Sequence, residues 1–82
     1  MLILLKTGNT DTIPKEKAIE MILGINGLKY ESAYMSEWGT DEFKQALIDT
    51  LDQSKPALYN TETASYIEGY EPETLMAFLN TL

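Results

Sequence analysis

The side chains of this 82-residue chain that could do chemistry are thirteen carboxylates, six lysines, and a set of hydroxyls and phenols; cysteine, histidine and arginine are absent. Without Cys there is no thiolate nucleophile, no disulfide and no thiolate metal site. Without His, the usual general base near neutral pH and the commonest metal ligand are missing. Carboxylates remain. Glu37, Asp41, Glu42, Asp49 and Asp52 could gather around a hard cation, but no Asp-x-Asp-x-Asp-Gly loop of the calcium-binding type accompanies them. A hydrolase would need two acids converging across a cleft, and no spacing argues for such a pair. The acids read as a solvated helix face. The expectation is a chain that is not an enzyme, with no catalytic residue, no metal and no cofactor.

The charge is uneven. Residues 1–35 carry four Lys and four acids, whereas residues 36–82 carry two Lys and nine acids, so the whole net charge of −7 falls in the second part. Such a surface opposes direct binding to nucleic acid or to an anionic membrane, because counterion release needs clustered cations. It suits a basic partner surface, or solubility alone. Trp38, the only tryptophan, stands among Glu37, Asp41 and Glu42 and is flanked by Tyr34, Met35 and Phe43. These four residues, Trp38 with the three acids, form the candidate partner surface, with the indole as an aromatic anchor. The competing reading makes Trp38 a core or loop-lid residue.

The elements that position these residues follow from apolar spacing. Met1–Lys6 is a continuous apolar run that ends in Thr7-Gly8-Asn9-Thr10, a buried strand followed by a turn. Pro14 opens a helix in which Ala18, Ile22 and Ile25, with Met21, repeat at helical spacing; Gly24 and Asn26-Gly27 close it. Residues 28–35 read as a second strand, and 36–39 as a loop. Thr40 is the expected N-cap of a helix with an apolar stripe of Phe43, Ala46, Leu47 and Leu51. Residues 57–59 and 64–68 read as a strand pair around a polar turn. Pro72 starts a last helix whose buried face is Leu75, Leu79 and Leu82, with Met76 alongside. The order β-α-β-α-β-β-α implies one α/β domain over residues 1–82, with a four-stranded mixed sheet and helices on its faces. No apolar run reaches the roughly 20 residues of a membrane span, and Met1–Leu5 lacks the basic stretch of a secretory signal. A soluble, cytoplasmic protein is expected.

This order, together with four short segments, resembles a glutaredoxin, the small three-layer form of the thioredoxin fold. Leu4-Leu5-Lys6-Thr7-Gly8-Asn9-Thr10-Asp11-Thr12 is similar to the end of that family's first strand and its Cys-x-x-Cys motif, with Asn9 and Thr12 at the two Cys positions. Gly27-Leu28-Lys29-Tyr30 resembles the start of its second strand. Lys55-Pro56-Ala57-Leu58 is placed like its cis-proline segment, and Ile67-Glu68-Gly69-Tyr70 like its glycine turn before the last helix. The departure is decisive for chemistry: thiol–disulfide exchange requires a thiolate, and this chain has none.

What the resemblance implies is a redox-inactive member. The family holds glutathione near the first helix start and the cis-proline backbone, so Lys6, Asn9, Thr12, Lys55, Pro56, Gly69 and Tyr70 become candidates for a ligand or peptide groove. Thr12 also invites comparison with the thiolate-stabilising hydroxyl of glutathione transferases, whose second domain has no counterpart here. The plain alternative makes Asn9 and Thr12 turn and cap residues. The leading expectation is a small acidic protein-binding module, in character like an accessory protein of a phage or mobile element, monomeric or a weak homodimer. The alternatives are an acidic mimic that blocks a nucleic-acid-binding protein, and a vestigial glutathione or anion binder.

Overall fold

The first strand, β1 (Leu2–Lys6), is apolar at nearly every position because it lies inside a sheet covered on both faces. The computed structural model describes all 82 residues. Its remaining strands are β2 (Tyr30–Tyr34), β3 (Ala57–Asn60) and β4 (Ser65–Glu68), and its helices are α1 (Ile13–Ile25), α2 (Met35–Trp38), α3 (Glu42–Thr50) and α4 (Pro72–Leu79). The sheet order is β2-β1-β3-β4. β1 runs parallel to β2, with Leu2 beside Tyr30 and Lys6 beside Tyr34. It is antiparallel to β3, with Leu4 opposite Leu58, and β3 and β4 form an antiparallel hairpin with Tyr59 opposite Tyr66. The architecture is therefore α/β with a four-stranded mixed open sheet. No helix is long and apolar enough to cross a membrane.

Alternation along β1 and β3 splits the core in two. Leu2, Leu4 and Leu58 face α1 and α4 and pack with Ile19, Leu23, Leu75 and Phe78. Ile3, Leu5, Ala57 and Tyr59 face α2 and α3 and pack with Met35, Ile48 and Leu51. Gly27, at φ 66°, closes α1 in the left-handed conformation expected of a residue just past a helix end, and Leu28 N–H returns to the Leu23 carbonyl.

Several expected details are corrected. The stripe of α1 that meets the sheet is Glu16, Ile19 and Leu23; Ala18 and Ile22 lie at its margin, and Met21 and Ile25 are exposed. Part of the expected 36–39 loop, together with Met35, is the short helix α2, which drops Met35 into the core and carries Trp38 at its end. Asp41, not Thr40, caps α3: its Oδ1 accepts the Lys44 N–H at 2.8 Å. Within α3, Ile48 is buried and Leu47 half-buried, whereas Phe43 and Ala46 are exposed. The helix is turned so that the 47–48–51 edge meets the sheet. In α4, Leu75 and Phe78 are buried, but Met76 is exposed and Leu82 lies beyond the helix end in solvent. Finally, every peptide bond is trans, so Lys55–Pro56 lacks the cis geometry that the resemblance implies. The turn before it, closed by Lys55 N–H on the Asp52 carbonyl at 3.0 Å, feeds the chain into β3 through a trans peptide.

Candidate functional site

The turn between β1 and α1 is where a free helix start would attract an anion. Thr10–Thr12 form one turn of tight 3-10 helix ahead of α1. Neither Asn9 nor Thr12 caps its helix through its side chain. Instead the carboxylate of Glu16, 5% exposed, reaches back across the turn. Its Oε2 accepts the Thr7 N–H at 3.1 Å and the Thr12 hydroxyl at 3.0 Å. The Thr7 and Thr12 hydroxyls lie 2.6 Å apart, and the Thr12 hydroxyl also reaches the Asn9 carbonyl at 3.0 Å. Thr12 is itself 6% exposed. The protein's own carboxylate thus ties the end of β1 to Thr12 across the turn. The Thr12 hydroxyl is committed to that network, which leaves it no part in stabilising a bound thiolate.

Several of the other groove candidates are engaged internally as well. Lys6 Nζ lies 3.4 Å from Glu20 on α1. The second oxygen of Glu20 accepts the Tyr30 hydroxyl at 2.8 Å. That hydrogen bond, with burial and the nearby negative charge adding to it, raises the Tyr30 phenol above its ordinary value. The buried Pro56 offers its carbonyl to the Gly69 N–H at 2.7 Å, and Gly69 sits at φ 73°. Two of the backbone groups beside Pro56, its own carbonyl and the Lys55 N–H, are therefore paired. Lys55 is exposed and 4.0 Å from Asp52. The Asp52 carboxyl is held below its ordinary value, chiefly by the Ser54 hydroxyl and then by the Ser54 N–H. Tyr70 packs against the α1–α4 core and Asn9 is exposed. None of the three depressions on the surface is lined by any of the seven groove candidates.

The candidate partner surface divides in two. Trp38 is half-buried, with its ring edge-on to Tyr59 at 5.9 Å between centroids. Lys44 Nζ lies 5.3 Å over the indole. The lid reading fits Trp38 better than the anchor reading. Asp41 and Glu42, however, line the largest depression, an open hollow of about 520 Å3 completed by Gly39, Thr40, Gln45, Ala46 and Asp49. Glu37 is exposed on α2 and outside it. No three acids converge as a metal site.

No known protein family, curated protein or solved structure matches this chain.

Two residues of consequence escaped the sequence reading. Glu16 was legible only as a first-turn acid favoured by the helix dipole. The signal that it faces inward is its position, four residues after Thr12 and three before Ile19. Ala64, in the β3–β4 turn, is the only non-glycine residue with positive φ, at 56°. Nothing in its type announces that conformation.

Proposed function

We propose that this chain is a non-catalytic protein-binding module on a glutaredoxin-like scaffold, and that it engages its partner through the acidic face of α3. The element order and the mixed sheet with helices on both faces support the scaffold reading; the trans Lys55–Pro56 bond departs from it. One contrast carries the functional reading. The turn that a redox relative would use is bridged internally by Glu16, whereas Asp41, Glu42 and Asp49 line an open hollow beside exposed apolar surface and none of them is paired with a cation. An acidic hollow next to apolar surface favours a protein over a nucleic acid, which it would repel. The adjoining apolar groups also favour contact with a partner over pure mimicry of a phosphate backbone.

The test compares three tagged proteins in capture from a bacterial lysate: wild type, Glu42→Lys/Asp49→Lys, and Asn9→Ala/Lys55→Ala. The expected result is one stoichiometric partner retained by wild type and by the turn variant and lost by the charge-reversed one. Loss with the turn variant alone would move the site back to the β1–α1 turn. Absence of any stoichiometric partner at several salt concentrations would end the reading. Displacement of the partner by DNA would favour the nucleic-acid mimic.

A further inference from the structure

Beside the acidic hollow lies a depression of different character. Phe43, Ala46, Leu47 and Thr50 from α3, Tyr59 from β3 and Ala64 from the hairpin turn line an open groove of about 280 Å3, five of the six being apolar. Phe43 stands at its edge 67% exposed, although aromatic rings are among the side chains that gain most from burial. Ala64 holds a left-handed backbone that favours glycine, which adds a methyl group to the groove lining. The volume falls just below the roughly 300–1,000 Å3 of small-molecule pockets, and suits a single protruding side chain better than a cofactor.

The surroundings specify what that side chain must bring with it. Ala46 borders both depressions, so the groove adjoins, along α3, the hollow lined by Asp41, Glu42 and Asp49. The only cation on α3, Lys44, is drawn over the Trp38 ring. An apolar slot bordered by uncompensated carboxylates is complementary to a large apolar residue flanked by cations. A second copy of this chain is a poor occupant, since it would bring a net charge of −7 against the same acidic face.

We propose that the groove between α3 and the β3–β4 hairpin is the anchor site for a basic protein segment, which inserts one large apolar side chain between Phe43 and Tyr59 and sets its Lys or Arg residues against Glu42 and Asp49. This deepens the protein-binding reading and rests on it. The probes are three synthetic peptides: one with a central Phe between lysine pairs, the same peptide with a central Ala, and the Phe peptide with glutamates for lysines. Binding is followed by amide shifts of the labelled protein and by titration calorimetry. The Phe–lysine peptide should shift Phe43, Leu47, Tyr59 and Ala64. Its affinity should fall about tenfold or more with the central Ala, as for an interface anchor, and also with the substitution Phe43→Ser. Binding should weaken steeply with salt and vanish for the glutamate peptide.

Equal binding of the Phe and Ala peptides, or unaltered binding by Phe43→Ser, overturns the anchor while leaving the acidic-face reading intact. Absence of shifts on α3 with either lysine peptide at millimolar concentration also overturns it, and the capture experiment with Glu42→Lys/Asp49→Lys then decides the broader reading separately. Self-association in sedimentation that Phe43→Ser abolishes would assign the groove to a second copy and overturn the basic partner. Phe43 is exposed, so its replacement leaves the fold in place.

Discussion

Replacing Glu16 tests whether the β1–α1 turn is held by an internal carboxylate. In Glu16→Ala, the Thr12 hydroxyl keeps an acceptor in the Asn9 carbonyl at 3.0 Å, but the Thr7 N–H, 3.1 Å from the lost oxygen, has no other partner. An orphaned donor costs about 1–3 kcal/mol. The vacated side-chain volume, 95% out of solvent, adds about 1 kcal/mol of lost packing. Against this stands the relief of desolvating a carboxylate. The net expectation is a loss of about 2–3 kcal/mol, a large share of the roughly 5–15 kcal/mol that stabilises a domain. For a chain of this length that corresponds to a fall in Tm of about 10–20 °C. Glu16→Gln preserves the shape and one acceptor oxygen and should cost about 1 kcal/mol. Thr12→Val in both backgrounds closes a double-mutant cycle with a coupling of at least about 0.5 kcal/mol. Urea unfolding with an unchanged m-value measures wild type, Glu16→Ala, Glu16→Gln, Thr12→Val and the Glu16→Ala/Thr12→Val double variant. A Glu16→Ala midpoint within about 0.5 kcal/mol of wild type, the range of ordinary surface changes, would refute the internal-anion account.

Three further outcomes follow from geometry already described. Ser54→Ala should return the Asp52 carboxyl toward its ordinary value, read by NMR titration of its side chain. Because the folded value is depressed, the contribution of this turn is present above the ordinary carboxyl range and is lost as pH falls through the folded value, so the variant should lose less stability on acidification than wild type. Glu20→Gln should lower the Tyr30 phenol toward 10.0, seen as tyrosinate absorbance appearing at lower pH. Here the folded value is raised, so the stabilising contribution is complete below the ordinary phenol range and disappears as pH rises through the folded value. Ala64→Gly should stabilise the hairpin by about 1 kcal/mol in thermal unfolding, because φ 56° carries a penalty for any side chain.

Much of this architecture could be read from residue types. Leu2 to Leu5 are apolar on both faces because β1 is interior, and an unbroken apolar run has few other solutions. Pro14, Gly27 and Pro72 mark helix ends by backbone geometry alone, and all three do so here. The facing of the helices was harder. In α3, Phe43, Ala46, Leu47 and Leu51 form a plausible stripe, yet the helix turns its 47–48–51 edge inward, because an apolar arc wider than the contact cannot reveal which margin is left over. In α1 the true stripe contains a carboxylate, and hydrophobic periodicity discards any charged residue before asking what it might bind. Glu16 is buried with its charge met by Thr12, one helical turn before it, and by the Thr7 N–H at the end of β1, donors that apolar spacing does not register. The four-residue helix α2 is too short to carry a period at all. The acidic hollow was legible through Asp41 and Glu42, whereas the groove next to it depends on the hairpin meeting α3, a long-range contact invisible in spacing.

The two faces of the sheet are unequally roofed. On one side α1 and α4, with 13 and 8 residues, hold the first core; on the other, α2 and α3 have 4 and 9, and α3 fully buries only Ile48. So thin a roof is the natural site of the lowest-energy partial opening, in which α3 lifts while β1, β3 and α1 stay formed. Amide hydrogen exchange should therefore be fastest among the helices across residues 42–50. A partner that stitches α3 to the hairpin would slow that exchange more than any other in the molecule. Recognition here would carry a signature of rigidification: part of the binding free energy would be spent on fixing a helix that the unbound protein holds only loosely.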